Sequence, residues 1–305
     1  MSQGLPTSIL GRTGLKITKL GYGAMELRDA PRGRPVTEEL AESMLNAVLD
    51  AGINYIDTSN DYGRSEEFIG RYISSRRPEY YLATKCGCTP PPATPVVGRQ
   101  PHIWTRENLF RGLEESLGRL KTEYVDVMQL HNPTVGESEA ENVVESLKEM
   151  KQQGKVRWIG ISTTLPHLPI YIHWGVFDVF QIPYSALQRE HEEWITRAAE
   201  AGIGTVIRGG AAKGEPGVSG VDRPEPWGYF EKAKLVELME EGESRTSFVL
   251  RFTLTHPHIN TSIVGTLNLQ HLRENVKATL RGPLPQDVYA EAKRRLESAG
   301  MRPAM

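Results

Sequence analysis

The chain has 305 residues, of which 39% are hydrophobic and 24% charged, with a formal net charge of −2 and two cysteines, Cys86 and Cys88. That length suits one eight-fold α/β barrel of about 250 residues and does not require two domains, while a near-neutral charge with scattered Lys and Arg offers no field to recruit nucleic acid. Met1-Ser2-Gln3-Gly4-Leu5-Pro6 lacks a charged and apolar secretion segment, no run reaches the roughly 18 apolar residues that span a bilayer, and the cysteines are too few for a disulfide framework, so a soluble protein of the reducing cytoplasm is expected.

In chain order, Ser8-Ile9-Leu10-Gly11-Arg12-Thr13-Gly14-Leu15-Lys16-Ile17 reads as a hairpin, two short β-prone runs around a glycine-containing turn. A repeated grammar follows: amphipathic helix, glycine, short β-branched strand. It recurs as Leu45-Asn46-Ala47-Val48-Leu49-Asp50-Ala51-Gly52 before Ile53, as Met150-Lys151-Gln152-Gln153-Gly154 before Val156, and as Arg197-Ala198-Ala199-Glu200-Ala201-Gly202 before Thr205. Glycine suits the left-handed residue that ends a helix, and repeated helix-to-strand units predict a parallel sheet wrapped by helices. The helices carry one apolar stripe each, as with Leu109, Leu113 and Leu117, four apart. Strands are predicted near residues 17–23, 54–57, 80–85, 125–131, 156–162, 178–183, 204–208 and 261–265, enough to close a barrel. Two stretches carry no element pattern, 87–104 with Pro90, Pro91, Pro92 and Pro95, and 209–227; both follow strands and are expected as functional loops on one face. His191-Glu192-Glu193 opens a helix, and 285–300 forms the last one. With only a short tail left, a comparatively open site is expected.

Three residues stand just past strand-like runs: Asp57 after Asn54-Tyr55-Ile56, Lys85 after Tyr80-Tyr81-Leu82-Ala83-Thr84, and His131 after Val125-Asp126-Val127-Met128-Gln129-Leu130. Tyr62 follows Asp57 in a polar loop. A free tyrosine has a pKa of about 10; an ammonium beside it stabilises the phenolate, and a carboxylate beyond holds the ammonium charged. Tyr62 is therefore assigned as proton donor, Lys85 as its tuner and Asp57 as the partner of lysine, with His131 placed to hydrogen-bond a substrate carbonyl. Singly, each has a structural alternative: a turn cap, a packed aromatic, a solvated lysine, a core imidazole. Their joint occurrence at strand ends favours catalysis. There is no glycine-rich dinucleotide fingerprint, since Gly21-Tyr22-Gly23 stops short of one. No metal site is expected either: the His-Glu-x-x-His spacing is missing, and His256-Pro257-His258 precedes a strand instead of following one.

Gly52-Ile53-Asn54-Tyr55-Ile56-Asp57-Thr58-Ser59-Asn60-Asp61-Tyr62-Gly63 and Asp126-Val127-Met128-Gln129-Leu130-His131, flanked by Leu10-Gly11-Arg12-Thr13-Gly14 and Glu274-Asn275, resemble the signature segments of the aldo-keto reductase superfamily. The resemblance implies a single (β/α)8 TIM barrel over residues 1–305, its floor plugged by the hairpin, that reduces an aldehyde or ketone with NAD(P)H. The four residues above match the family tetrad. A nicotinamide cofactor, NADPH with NADH as the alternative, is implied across the barrel mouth beside Asp57. Gly23, Ala24 and Met25 would approach its ring, Ser162, Thr163 and Gln181 its carboxamide, and Tyr184 would line the same pocket. Arg208 would stack on the ring or pair with the pyrophosphate, beside Gly209, Gly210 and Lys213. Gly265, Thr266, Leu267 and Asn268 lead into a helix N-terminus suited to phosphate, with His271, Glu274 and Asn275 at the adenosine. Relatives more often have Asn at Thr163, and the basic residues that grip a 2′-phosphate are replaced by Gly265, Leu267 and His271, leaving Arg273 as the nearest fixed charge. The expected partner is a small carbonyl compound; oligomeric state is not read. A cofactor-binding regulatory protein or a metal-dependent hydrolase on the same barrel are the alternatives, because fold does not fix function.

Overall fold

The computed structural model describes residues 4–89, 101–217 and 224–304; Met1, Ser2, Gln3 and the anticipated loop residues Pro90, Pro91, Pro92 and Pro95 lie outside them. Strands β1 (Thr7–Ile9) and β2 (Lys16–Thr18) pair antiparallel with Ser8 opposite Ile17, which is the anticipated hairpin. Then come β3 (Leu20–Gly23), β4 (Tyr55–Asp57), β5 (Tyr81–Cys86), β6 (Val125–His131), β7 (Val156–Ser162), β8 (Val179–Pro183), β9 (Gly204–Arg208) and β10 (Thr261–Val264). These eight close into a barrel in the order β10-β3-β4-β5-β6-β7-β8-β9, every pairing parallel. All eight anticipated strands are present. Their near-continuous apolar character is what burial on both faces demands of a parallel strand.

Between and after the strands lie α1 (Glu38–Asp50), α2 (Ser65–Tyr72), α3 (Arg106–Leu120), α4 (Val135–Ala140), α5 (Val143–Gln152), α6 (Leu168–Trp174), α7 (Glu192–Glu200), α8 (Pro224–Lys232), α9 (Arg245–Thr255), α10 (Leu269–Arg281) and α11 (Gln286–Ser298). The stripe of α3 is buried at Leu109, Leu113, Leu117 and Leu120. Gly52, Gly154 and Gly202 adopt φ of 81°, 75° and 75° where α1, α5 and α7 turn into strands, a conformation that costs a side chain energy and glycine almost none.

Two expectations need correction. The second long loop is shorter than the sequence suggested, because α8 begins at Pro224 and carries Trp227 inside it, packed 5.6 Å from Phe230. Proline is well suited to a first helical turn, so what reads as a loop-forming stretch starts a helix. The C-terminal tail, though short, also folds back: Ala304 N–H donates to Glu190 O (3.1 Å) and Met301 O accepts from Arg189 Nη1 (3.3 Å). Met301 thereby reaches the cavity described below, so the tail contributes one residue to the wall of the site.

At the N-terminal end of the barrel, Leu10 and Ile17 of the hairpin join Tyr55, Ala83, Val127, Val179, Val206 and Ile263 in one buried cluster. Backbone bonds fix the plug, Arg12 N–H donating to Gly202 O at 2.7 Å. A Cβ on Gly11, whose φ is 47°, would lie 2.2 Å from Gly204 N, so only glycine lets the two backbones touch. With this end sealed, the C-terminal ends of the strands are left to carry chemistry. Gly11→Ala is expected to lower unfolding free energy by about 1–3 kcal/mol through this overlap; denaturant titration measures it, and an unchanged midpoint would show that the plug does not bear on the barrel.

Candidate active site

Asp57 closes β4, Lys85 lies next to last in β5, and Gln129 sits opposite Lys85 in β6. Register sets Lys85 beside Gln129, and Asp57 and Gln181 meet them inside a barrel whose other end is filled by apolar side chains. Lys85 is fully buried, and its Nζ donates to Asp57 Oδ1 at 2.6 Å and to Thr58 O at 2.8 Å. The other carboxylate oxygen accepts from Gln129 Nε2 at 2.8 Å and Gln181 Nε2 at 2.7 Å. An ion pair taken from water costs energy that only good geometry and further hydrogen bonds offset; here both are supplied. Burial works against the ammonium, but Asp57 and Tyr62 together outweigh it, so the lysine pKa stands above its ordinary value.

Tyr62 lies with its ring 4.9 Å from Lys85 Nζ. Burial pushes its phenol up, Lys85 pulls it down, Asp57 pushes up again and Arg208 pulls down; the balance is a raised pKa. The sequence reading expected the ammonium to prevail. Instead exclusion of water dominates, and Tyr62 holds its proton firmly. His131 meets the Tyr62 ring edge-on, centroids 6.1 Å apart at 82°. Its Nδ1 is 3.2 Å from Cys88 Sγ, which also lies 3.8 Å from Ser59 Oγ. Burial pushes the Cys88 thiol up to about 12, so the sulfur beside the imidazole is a thiol and not a thiolate.

His102 packs against the other side of His131 at 4.9 Å. The donor atoms of Cys88, His102 and His131 lie within 4.8 Å of one another. Local spacing in the chain gave no sign of this soft-donor group, because a bridge between Cys88 and His102 brings together two members that are not neighbours in sequence.

The strand ends open into a cavity of about 1100 Å³. Of the residues anticipated there, Gly23, Met25, Asp57, Tyr62, His131, Ser162, Gln181, Arg208, Gly209, Gly210, Lys213, Gly265, Thr266, His271, Glu274 and Asn275 line it. Lys85 stands behind them. Others face elsewhere: Ala24 and Thr163 are buried in the fold, and Leu267 packs against the core. Asn268 caps α10, its Oδ1 accepting from Gln270 N–H at 2.8 Å. Tyr184 is fully buried, with its hydroxyl 3.5 Å from that of Tyr289 and its ring against Phe252 and His256. It supports the wall from outside instead of lining the pocket.

The sequence reading missed Asn132, Ser244, Thr246, Ser247 and the arginines Arg28, Arg32 and Arg34, all of which line the cavity. Asn132 had a findable signal, since it follows a strand-end histidine; it adopts a φ of 62°, and its Oδ1 accepts from Ser162 Oγ at 3.2 Å. The loop after β9 turns tightly, with positive φ at Gly209, Ala212, Lys213 and Gly214, a conformation that can aim successive N–H groups at an anion.

Asp57→Asn removes the counter-charge of a buried ammonium and is expected to cost about 3–5 kcal/mol in denaturant unfolding near neutral pH. Lys85 and Tyr62 both bind their protons more tightly in the folded chain. Their contribution to stability is complete below the ordinary lysine and tyrosine values near 10 and is lost as pH rises through the folded values. Unfolding free energy should therefore fall on going from about pH 8 to about pH 11, and less steeply in Tyr62→Phe; parallel slopes in the two proteins would contradict the raised tyrosine.

A family model described as the Aldo/keto reductase family matches residues 19–297. The uncharacterized oxidoreductase YqkF of Bacillus subtilis (strain 168) is 31% identical over 286 residues, covering 88% of this chain and 89% of that protein. L-galactose dehydrogenase of Arabidopsis thaliana is 26% identical, covering 88% and 86%. Among solved structures, the holo form of aldo-keto reductase AKR11C1 from Bacillus halodurans superposes with a TM-score of 0.83 at 27% identity, covering 95% of this chain and 96% of the other. The chain belongs to the aldo/keto reductase family and is an NAD(P)H-dependent oxidoreductase.

Proposed function

We propose that the protein reduces a small aldehyde or ketone to its alcohol in the cytoplasm, with NADPH as reductant and Tyr62 as proton donor. The observation that carries this is the buried Asp57–Lys85 pair beneath the Tyr62 phenol, opening on a cavity large enough for two ligands. At about 1100 Å³ it exceeds the roughly 300–1,000 Å³ that holds one drug-sized molecule.

When bound, the nicotinamide supplies the hydride. His131 hydrogen-bonds the carbonyl oxygen and holds the reacting carbon in place. Tyr62 gives its hydroxyl proton to the developing alkoxide, and the adjacent ammonium of Lys85 stabilises the phenolate left behind. Asp57 keeps that ammonium charged and aimed. A tyrosine that retains its proton until the carbonyl arrives is the form that reduction needs.

The residues present suit the cofactor. Gln181 commits its Nε2 to Asp57, leaving Oε1 to accept from a carboxamide beside Ser162 and Asn132. Gly209 has no atom within 4 Å of where a Cβ would stand, so the loop backbone can meet the pyrophosphate with Arg208 and Lys213. Glu274 and Asn275 on α10 face the adenosine end with His271. Arg273 is exposed and does not line the cavity, so recognition of a 2′-phosphate falls to His271 and the hydroxyls of Ser244 and Ser247. Both cysteines are buried free thiols, in keeping with a reducing compartment.

Tyr62→Phe is expected to lower turnover of an aldehyde by about 10²–10⁴-fold while NADPH still quenches protein fluorescence with similar affinity. Unchanged turnover would remove Tyr62 from the reaction, and cofactor binding without turnover in the native protein would favour a sensor. The ratio of KM for NADH to KM for NADPH tests cofactor choice; a value below one overturns it.

A further inference from the structure

One wall of the cavity carries three guanidinium groups. Arg32 pairs with Asp61 at 2.6 Å and Arg34 with Glu26 at 3.1 Å. Arg28 lines the same cavity, yet among the described residues its guanidinium has neither a carboxylate in salt-bridge range nor a hydrogen-bond acceptor. The neighbouring Asp29 is turned away, its Oδ1 accepting from Ala30 N–H at 2.7 Å and Val36 N–H at 2.9 Å and its Oδ2 lying 3.6 Å from Arg64. Three cations against Glu26 and Asp61 leave this wall with one positive charge in excess.

The group is held, not merely tethered. Its stem runs against Gly33, where an added Cβ would lie 2.6 Å from Arg28 Cγ and 2.9 Å from Nε. The main chain is anchored to the catalytic loop: Arg28 O accepts from Arg64 N–H at 3.2 Å, and a Cβ on Gly63 would stand 2.0 Å from that oxygen. Gly63 follows Tyr62 directly, so the Arg28 backbone and the proton donor share one short, tightly packed stretch of wall. A half-buried guanidinium without a counter-ion is costly, and its planar fork matches a carboxylate in two parallel hydrogen bonds.

We infer that Arg28 is a specificity residue that receives a carboxylate, so that the substrates of this enzyme are aldehydes or ketones carrying a carboxylate away from the reacting carbon. The inference rests on the reductase reading above. Arg208 at the end of β9 and Lys213 on the loop beyond it serve the cofactor in that reading and leave Arg28 to the substrate.

The test measures kcat and KM at saturating NADPH for two matched pairs, 4-carboxybenzaldehyde with benzaldehyde and succinic semialdehyde with butanal. In the native protein at least one carboxylated member should exceed its neutral partner in kcat/KM by roughly ten- to a hundred-fold, the yield of a charge-assisted hydrogen bond, and mainly through KM. In Arg28→Met, which keeps the stem, that ratio should fall towards one while KM for NADPH holds. Neutral aldehydes turned over as well as charged ones by the native protein would overturn the inference and leave the reductase standing. So would a rise in the KM of NADPH in Arg28→Met with the aldehyde ratio intact, since Arg28 would then belong to the cofactor. Absence of turnover with all four aldehydes would remove the reductase reading and this inference with it.

Discussion

A lysine ammonium with no water around it has to be satisfied wholly by protein, and the barrel is arranged to do so. Lys85 on β5 takes one oxygen of Asp57 on β4 and the carbonyl of Thr58, while the second carboxylate oxygen is shared by Gln129 on β6 and Gln181 on β8. Four strands therefore contribute to one charge-balanced knot. Because side chains alternate across a strand, a one-residue shift of any of these strands would turn its polar group to the outer layer and leave a buried charge short of a partner. The same knot that equips the site also fixes the register of half the barrel.

Pairing outweighs burial at Lys85 inside that knot, whereas burial prevails at the groups beside it. The thiol of Cys88 and the phenol of Tyr62 are both pushed up by exclusion of water, so the groups nearest His131 and the cavity are proton-bearing. The ammonium beneath Tyr62 matters most at the moment a phenolate forms, when its attraction acts in a poorly screened interior. In the proposed reaction, proton donation by Tyr62 is thereby restrained until a receiving oxygen is close.

Much of the barrel and its centre was legible in the chain because both obey local rules. Helix, glycine and strand follow each other at short range, and Asp57, Lys85 and His131 each sit where a short apolar, β-like run stops. Legibility ended where position depends on which way a side chain turns after the strand. Tyr184 stands just past β8, and its ring packs outward against Phe252 and His256; Ser162 lines the cavity while Thr163, next in the chain, is buried in the fold. Arg28 and Ser247 escaped notice for another reason: each is a polar residue at the end of a short helical segment whose apolar residues point into the core, with no motif to single it out. The cluster of Cys88, His102 and His131 joins parts of the chain that no motif links.

The hairpin at the floor of the barrel has a consequence for the order of events. Among the described residues, Leu10 and Ile17 stopper one end of the barrel and the cavity lies at the other, so two ligands that share it would pass through the same mouth. Whichever ligand lies deeper must be first in and last out, so a queue is imposed by architecture alone, without any moving part.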